Sequence, residues 1–155
     1  MAAGKKTDRM RYKDTGQVHM DFHRTLNGTI RFLREKHGEA FLDDTFRRTA
    51  RDVYRAIHED LSRGDPEHLV THWTFYLDRE GGEYTLERRP GEIRLIVSRC
   101  PAIDYLRRKG IPVDPAFCRQ TVVVNETLAE GTPFTVTTQV LGDGRCVQCI
   151  RRNPA

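Results

Sequence analysis

A change of period in the apolar residues constrains this 155-residue chain more than any other feature. Val18, Phe22, Leu26, Ile30 and Leu33 recur at spacings of four and three, one face of a helix ending near Gly38. Phe46, Ala50, Val53, Ile57 and Leu61 repeat that spacing as the buried stripe of a second helix, stopped by Gly64 and Pro66. The period then drops to two. In HWTFYLD, Trp73, Phe75 and Leu77 share one side; after the turn-like DREGGE, EYTLERR returns with Tyr84 and Leu86 inward. A turn at Pro90-Gly91 leads into EIRLIVSRC, where Ile93, Leu95 and Val97 alternate.

Pro101 ends that strand, and PAIDYLRRKG reads as a short helix closed by Gly110. Asp114 can cap a third main helix, with Pro115 at its first position and Gly131-Thr-Pro at its end; the β-branched run Val122–Val124 is taken into it. FTVTTQVL, the tight turn GDG and RCVQCI close the chain as two strands. The expected class is therefore α+β: N-terminal helices packed on an antiparallel sheet, with a further helix inserted before the last two strands. Residues 1–16 read as a charged tail and 17–155 as a single domain.

No apolar run reaches the eighteen or so residues of a membrane span, and MAAGKKTDRMRYKDTG lacks the apolar core of a secretory signal. A cytoplasmic location is expected, with Cys100, Cys118, Cys146 and Cys149 as thiols. The net charge of +4 comes from bases scattered among acids, as in RRTARDVYRAIHEDLSR, which disfavours nucleic acid as a partner. A small anionic ligand suits such a balance. Nothing resembles a phosphate loop, a dinucleotide fingerprint or a Ser-His-Asp order.

The cysteines narrow the chemistry. A structural zinc site needs two paired knuckles, and only Cys146-x-x-Cys149 is present. Residues three apart on a strand diverge to opposite faces, so that spacing is incidental. Cys100 ends a strand, on the side of Arg94 and Ser98. Cys118 lies in the first turn after the Asp114 cap, sharing a face with Val122, Asn125 and, less closely, Glu126. The helix dipole should lower its pKa. Free cysteines also simply fill cores, and that reading stays open. His19 and His23, four apart on the first helix, have a spacing that can hold a metal, but such pairs are usually surface or cap residues. His68 and His72 share the spacing next to an expected strand. Trp73, Phe75 and Tyr84 read as core rather than as a stacking platform.

RCPAIDYLRRKGIP, DPAFCRQT and GDGRCVQCI together resemble the three cysteine blocks of the L-2-amino-thiazoline-4-carboxylic acid hydrolase family, over about Gly91 to Arg151. More distantly, the layout is similar to 4-vinyl-reductase-like ligand-binding domains of bacterial sensors, some of which bind zinc. Thr121 and Gln148 stand where the hydrolase pattern has an acidic and an aromatic residue, and FTVTTQVL lacks the Glu and Cys of the zinc-binding relatives. The resemblance implies a hydrolase acting on carbon–nitrogen bonds of a cyclic amidine, opening a small sulfur heterocycle, with Cys100, Cys118 and Cys146 carried over by position. On this reading Cys118 attacks, Cys100 and Cys146 polarise or share the proton, and Glu126 or a histidine is the acid/base. Arg94 and Asn125 would bind the anionic substrate. No cofactor, metal, nucleic acid or membrane is expected, and a homodimer is compatible. A non-catalytic small-molecule-binding or sensor domain and a cysteine-based zinc domain are the alternatives.

Overall fold

The computed structural model describes residues 18–155. The charged tail expected over 1–16 lies outside them. The fold is α+β: the described residues form six helices and a four-stranded antiparallel sheet in the order β1-β2-β4-β3. Four helices come first: α1 (Asp21–His37), α2 (Glu39–Asp52), α3 (Arg55–Ser62) and α4 (Glu67–Glu80). β1 (Glu83–Arg89) and β2 (Glu92–Arg99) form a hairpin. Helices α5 (Pro101–Arg108) and α6 (Arg119–Ala129) intervene before the closing hairpin of β3 (Phe134–Gly142) and β4 (Arg145–Arg152). No described helix is long and apolar enough to cross a membrane.

Several expectations are corrected. The helix expected to start at Pro115 after an Asp114 cap begins instead at Arg119, with Cys118 at its N-cap and a turn over 115–118. HWTFYLD is not a strand but the body of α4. Leu69, Val70 and Trp73 are buried and Leu77 is partly buried, a helical spacing, while Phe75 is 52% exposed. The alternation of Trp73 and Leu77 with Phe75 coincides with an i, i+4 stripe, and the termini decide between them. Asp65 Oδ1 accepts the Glu67 N–H at 2.9 Å, and Gly81 closes the helix in the left-handed region. The second expected helix is broken in two, because Tyr54 leaves helical geometry (φ −102°, ψ 22°). Phe46 and Ala50 stay on α2 and Ile57 and Leu61 on α3, whereas Val53 is 69% exposed at the break. In α1 the buried positions are His23, Asn27 and Ile30, and Phe22 faces out.

Two apolar clusters result. One lies between the inner sheet face and helices α3, α4 and α6, around Leu61, Leu69, Leu95, Leu128, Val136 and Ile150. The other lies among α1, α2, α5 and α6, around Ile30, Leu42, Leu106, Phe117 and Val123. Cys100 and Val124 border both.

Candidate active site

Sheet register sorts the cysteines. Val97 pairs with Cys146, Leu95 with Gln148 and Ile93 with Ile150, so Cys146 shares the inner face with the core. Cys149 sits opposite Arg94 and Thr137 on the other face, as strand geometry requires. The spacing expected to be incidental is so: the two sulfurs face opposite sides. All four cysteines are free thiols.

Cys100 takes its place from the end of β2. Its N–H donates to the Gly144 carbonyl at 2.8 Å, tying it to the β3–β4 turn. That turn runs through Gly142, Asp143 and Gly144, all at positive φ, which only such residues adopt cheaply. Cys100 is also the N-cap of α5, with Pro101 at the first helical position, so the chain leaves the strand alternation there and packs the residue against both clusters. Arg94 remains on the outer sheet face, its guanidinium 3.5 Å from Glu87. The expectation that it lines the same site as Cys100 fails for that reason.

Cys118 stands at the head of α6, and burial there overturns the expected downward shift. Loss of water pushes its thiol up, and Cys100 adds to the rise. Burial likewise raises Cys100, while the Ala102 and Ile103 N–H groups pull it back and Glu80 and Asp104 push it higher. Cys146 is pushed up to about 12, first by burial, then by Cys100 and Cys118, with Gln148 opposing. Thiols separated by 18 and 28 positions thus lie within electrostatic reach of one another. Among the described residues no group of three His, Cys, Asp or Glu side chains is placed to hold a metal.

Asn125 is buried and fully engaged. Its Oδ1 accepts from Trp73 Nε1 at 3.2 Å, and its amide donates to Thr138 Oγ1 at 2.8 Å and Gln148 Oε1 at 2.7 Å. Both amide hydrogens are used and the residue is buried, so the expected binding role gives way to that of a core polar hub. Glu126, the expected acid/base, is exposed on α6. His19 is exposed, and His23 bonds Glu80 rather than a metal. His68 bonds Asp60 at 2.6 Å, and His72 packs between the Tyr54 and Tyr76 rings.

The sequence reading missed three features. Asn27, 1% exposed, donates to the Pro112 carbonyl and accepts the Asp114 N–H, holding the loop before α6. Buried Asp114 receives a two-pronged bond from Arg34 and is drawn below the usual carboxylate range by it. Between α1 and the turn after α5 runs a groove of about 410 Å3 carrying Arg24, Arg31 and Lys109. Asp114 stood out in the sequence only as a cap, and its Oδ1 does accept the Ala116 N–H at 2.9 Å; nothing local pointed to its Arg34 partner, to Asn27 or to the groove. No protein-family model and no curated protein matches this sequence.

Proposed function

We infer that the chain is a small thiol-dependent hydrolase that opens a cyclic amidine of the 2-amino-thiazoline-4-carboxylate type. One observation supports this reading: Cys100 borders both apolar clusters, Cys146 borders the first and Cys118 the second, and the three thiols bear on one another's charge. The chemistry fits such a cluster. The ring C2 of a protonated thiazoline is electrophilic. A cysteine sulfur adds to it, the C2–S bond of the ring breaks, and the ring sulfur takes a proton as it leaves. Water then adds to the same carbon and expels the enzyme sulfur, giving an N-carbamoyl-cysteine. Exclusion of water around the cluster keeps the adduct from premature exchange. Arg94, on the outer sheet face beside Glu87, is not placed to pair with the substrate carboxylate.

The test is incubation with 2-amino-thiazoline-4-carboxylate and related cyclic amidines, followed by mass spectrometry. Product, or a covalent adduct lost in Cys100→Ser, supports the reading; neither product nor adduct with any of them refutes it. The upward shift of all three thiols favours, as second reading, a ligand-binding module, which would bind these compounds without turning them over.

A further inference from the structure

The groove between α1 and the turn after α5 holds positive charge that no described carboxylate answers. Arg24, Asn27, Gly28 and Arg31 recur at helical spacing, so one face of α1 forms its first wall. Lys109, Ile111 and Pro112 form the second. Asn27 and Arg31 both donate to the Pro112 carbonyl, at 3.0 and 2.9 Å. The two walls are thereby tied together, and the space of about 410 Å3 between them is set by the fold. That size suits a small molecule.

Charge and shape each narrow the ligand. None of the described residues lining the groove is acidic. Elsewhere guanidiniums meet carboxylates, as Arg88 meets Glu67, Arg119 meets Asp43 and Arg151 meets Glu92. Arg24 has no ion pair among the described residues, and Lys109 only rests its Nζ 5.9 Å from the centre of the Tyr105 ring. The carboxylates nearby are engaged: Asp21 accepts the Tyr105 hydroxyl, and Asp114, 3.7 Å from Arg31, is held by Arg34. Shape adds Gly28. It lies in the interior of α1, where glycine is less favourable than alanine. A Cβ there would meet nothing within 4 Å and its φ is not positive, so neither close packing nor a left-handed backbone requires glycine. The bare helix between Arg24 and Arg31 instead leaves the floor of the groove open.

We propose that this groove binds a small phosphate monoester, its phosphate between Arg24 and Lys109 and its organic group against Ile111 and Pro112. Two cations without a partner, one on each wall, call for an anion of matching charge. A phosphate monoester brings about −1.5 to −2 at neutral pH and three terminal oxygens, whereas a carboxylate brings a single charge. The Arg24 fork can take two of those oxygens and the Lys109 ammonium acts as a point charge on them. Arg31, committed to the Pro112 carbonyl, adds to the field and holds the wall in place. This binding needs none of the three thiols, so it stands apart from the hydrolase reading.

The test is isothermal titration calorimetry of the full-length chain with phenyl phosphate, inorganic phosphate and benzoate as probes. Phenyl phosphate should bind one to one, benzoate about tenfold more weakly or less. Raising the salt from about 50 to about 150 mM should weaken phenyl phosphate, because both cations are exposed. Arg24→Gln and Lys109→Gln should each weaken it by about tenfold. Gly28→Leu, which fills the floor, should abolish binding while melting at no lower temperature than the wild type. Arg48→Gln, outside the groove, should leave the affinity unchanged. Absence of saturable phenyl phosphate binding overturns the proposal. So does an unchanged affinity in Gly28→Leu or in both charge variants, or benzoate binding as tightly as phenyl phosphate. Inorganic phosphate bound as tightly as phenyl phosphate overturns the ester and leaves free phosphate as the ligand. If Gly28→Leu fails to fold, the two charge variants, both at exposed positions, decide.

Discussion

Asn125→Ala should be among the most damaging single changes in this protein, and its cost can be worked from three bonds. Asn125, Gln148 and Trp73 are 3%, 7% and 7% exposed, so their polar atoms have no water to turn to. Truncation orphans the Trp73 indole N–H and the Gln148 oxygen, at about 1–3 kcal/mol each, whereas half-buried Thr138 can re-pair with solvent. The expected loss is about 4 kcal/mol, from a total that for domains of this kind is about 5–15 kcal/mol. At a urea slope of about 2 kcal/mol/M, the midpoint falls by about 2 M with the slope unchanged. Trp73 is the only tryptophan, so its fluorescence follows both the unfolding and the lost hydrogen bond. Asn125→Leu combined with Gln148→Leu should cost less than the two single changes added together, since that pair is then apolar on both sides. A midpoint shift under about 0.5 M for Asn125→Ala would show that the three bonds are not held together, and the hub reading would fall.

Three further outcomes follow from named groups. Arg34 first, then the Ala116 N–H and Arg31, hold the Asp114 carboxyl below its ordinary range against burial. Its contribution is therefore whole above about pH 4 and lost as pH falls through the lowered value. Asp114→Asn should flatten the melting temperature against pH below about pH 4, and an unchanged slope refutes this. Burial, then His68, lowers the His72 pKa, so the unfolded chain takes up protons first and stability drops as pH falls below about 6.5. His72→Phe should remove that drop, measured by thermal melts down to about pH 5; a drop of the same size sinks the linkage. Gly144→Ala forces a side chain onto a residue at φ 71° and should cost about 1–2 kcal/mol. Its added Cβ finds only ordinary contacts near Ile103 and Cys100, so a much larger loss would point to a steric cause instead.

Where local pattern and burial agree, the fold was legible. The β2 alternation, the GDG turn and the Pro101 helix start are each dictated by residues a few positions apart, and each stands as expected. The errors arose where two periods fit the same letters. Trp73 and Leu77 satisfy both a strand and a helix, and only the Asp65 cap and Gly81 separate the two. The break at Val53–Tyr54 has no Gly or Pro to announce it. It comes from tertiary demand, since α2 packs against α1 and α6 while α3 must also meet α4.

The site divides along the same line. Opposite faces for Cys146 and Cys149 follow from strand geometry, whereas the mutual influence of Cys100, Cys118 and Cys146 depends on how α6 packs against the two hairpins. The buried His23–Glu80 pair could not be read in this way. His23 and Glu80 are 57 positions apart, one beside the expected apolar stripe and read as a surface or cap residue, the other in an expected turn. Their contact exists only because the start of α1, the end of α4 and the start of α5 are drawn together by packing. Burying a histidine and a carboxylate costs more than an apolar pair of the same volume, and leaving Nδ1 without a partner adds to that cost. Among the other buried polar residues, Asn27, Asn125 and Asp114 each find their bonds. A buried pair that stability does not explain calls for a reason of its own.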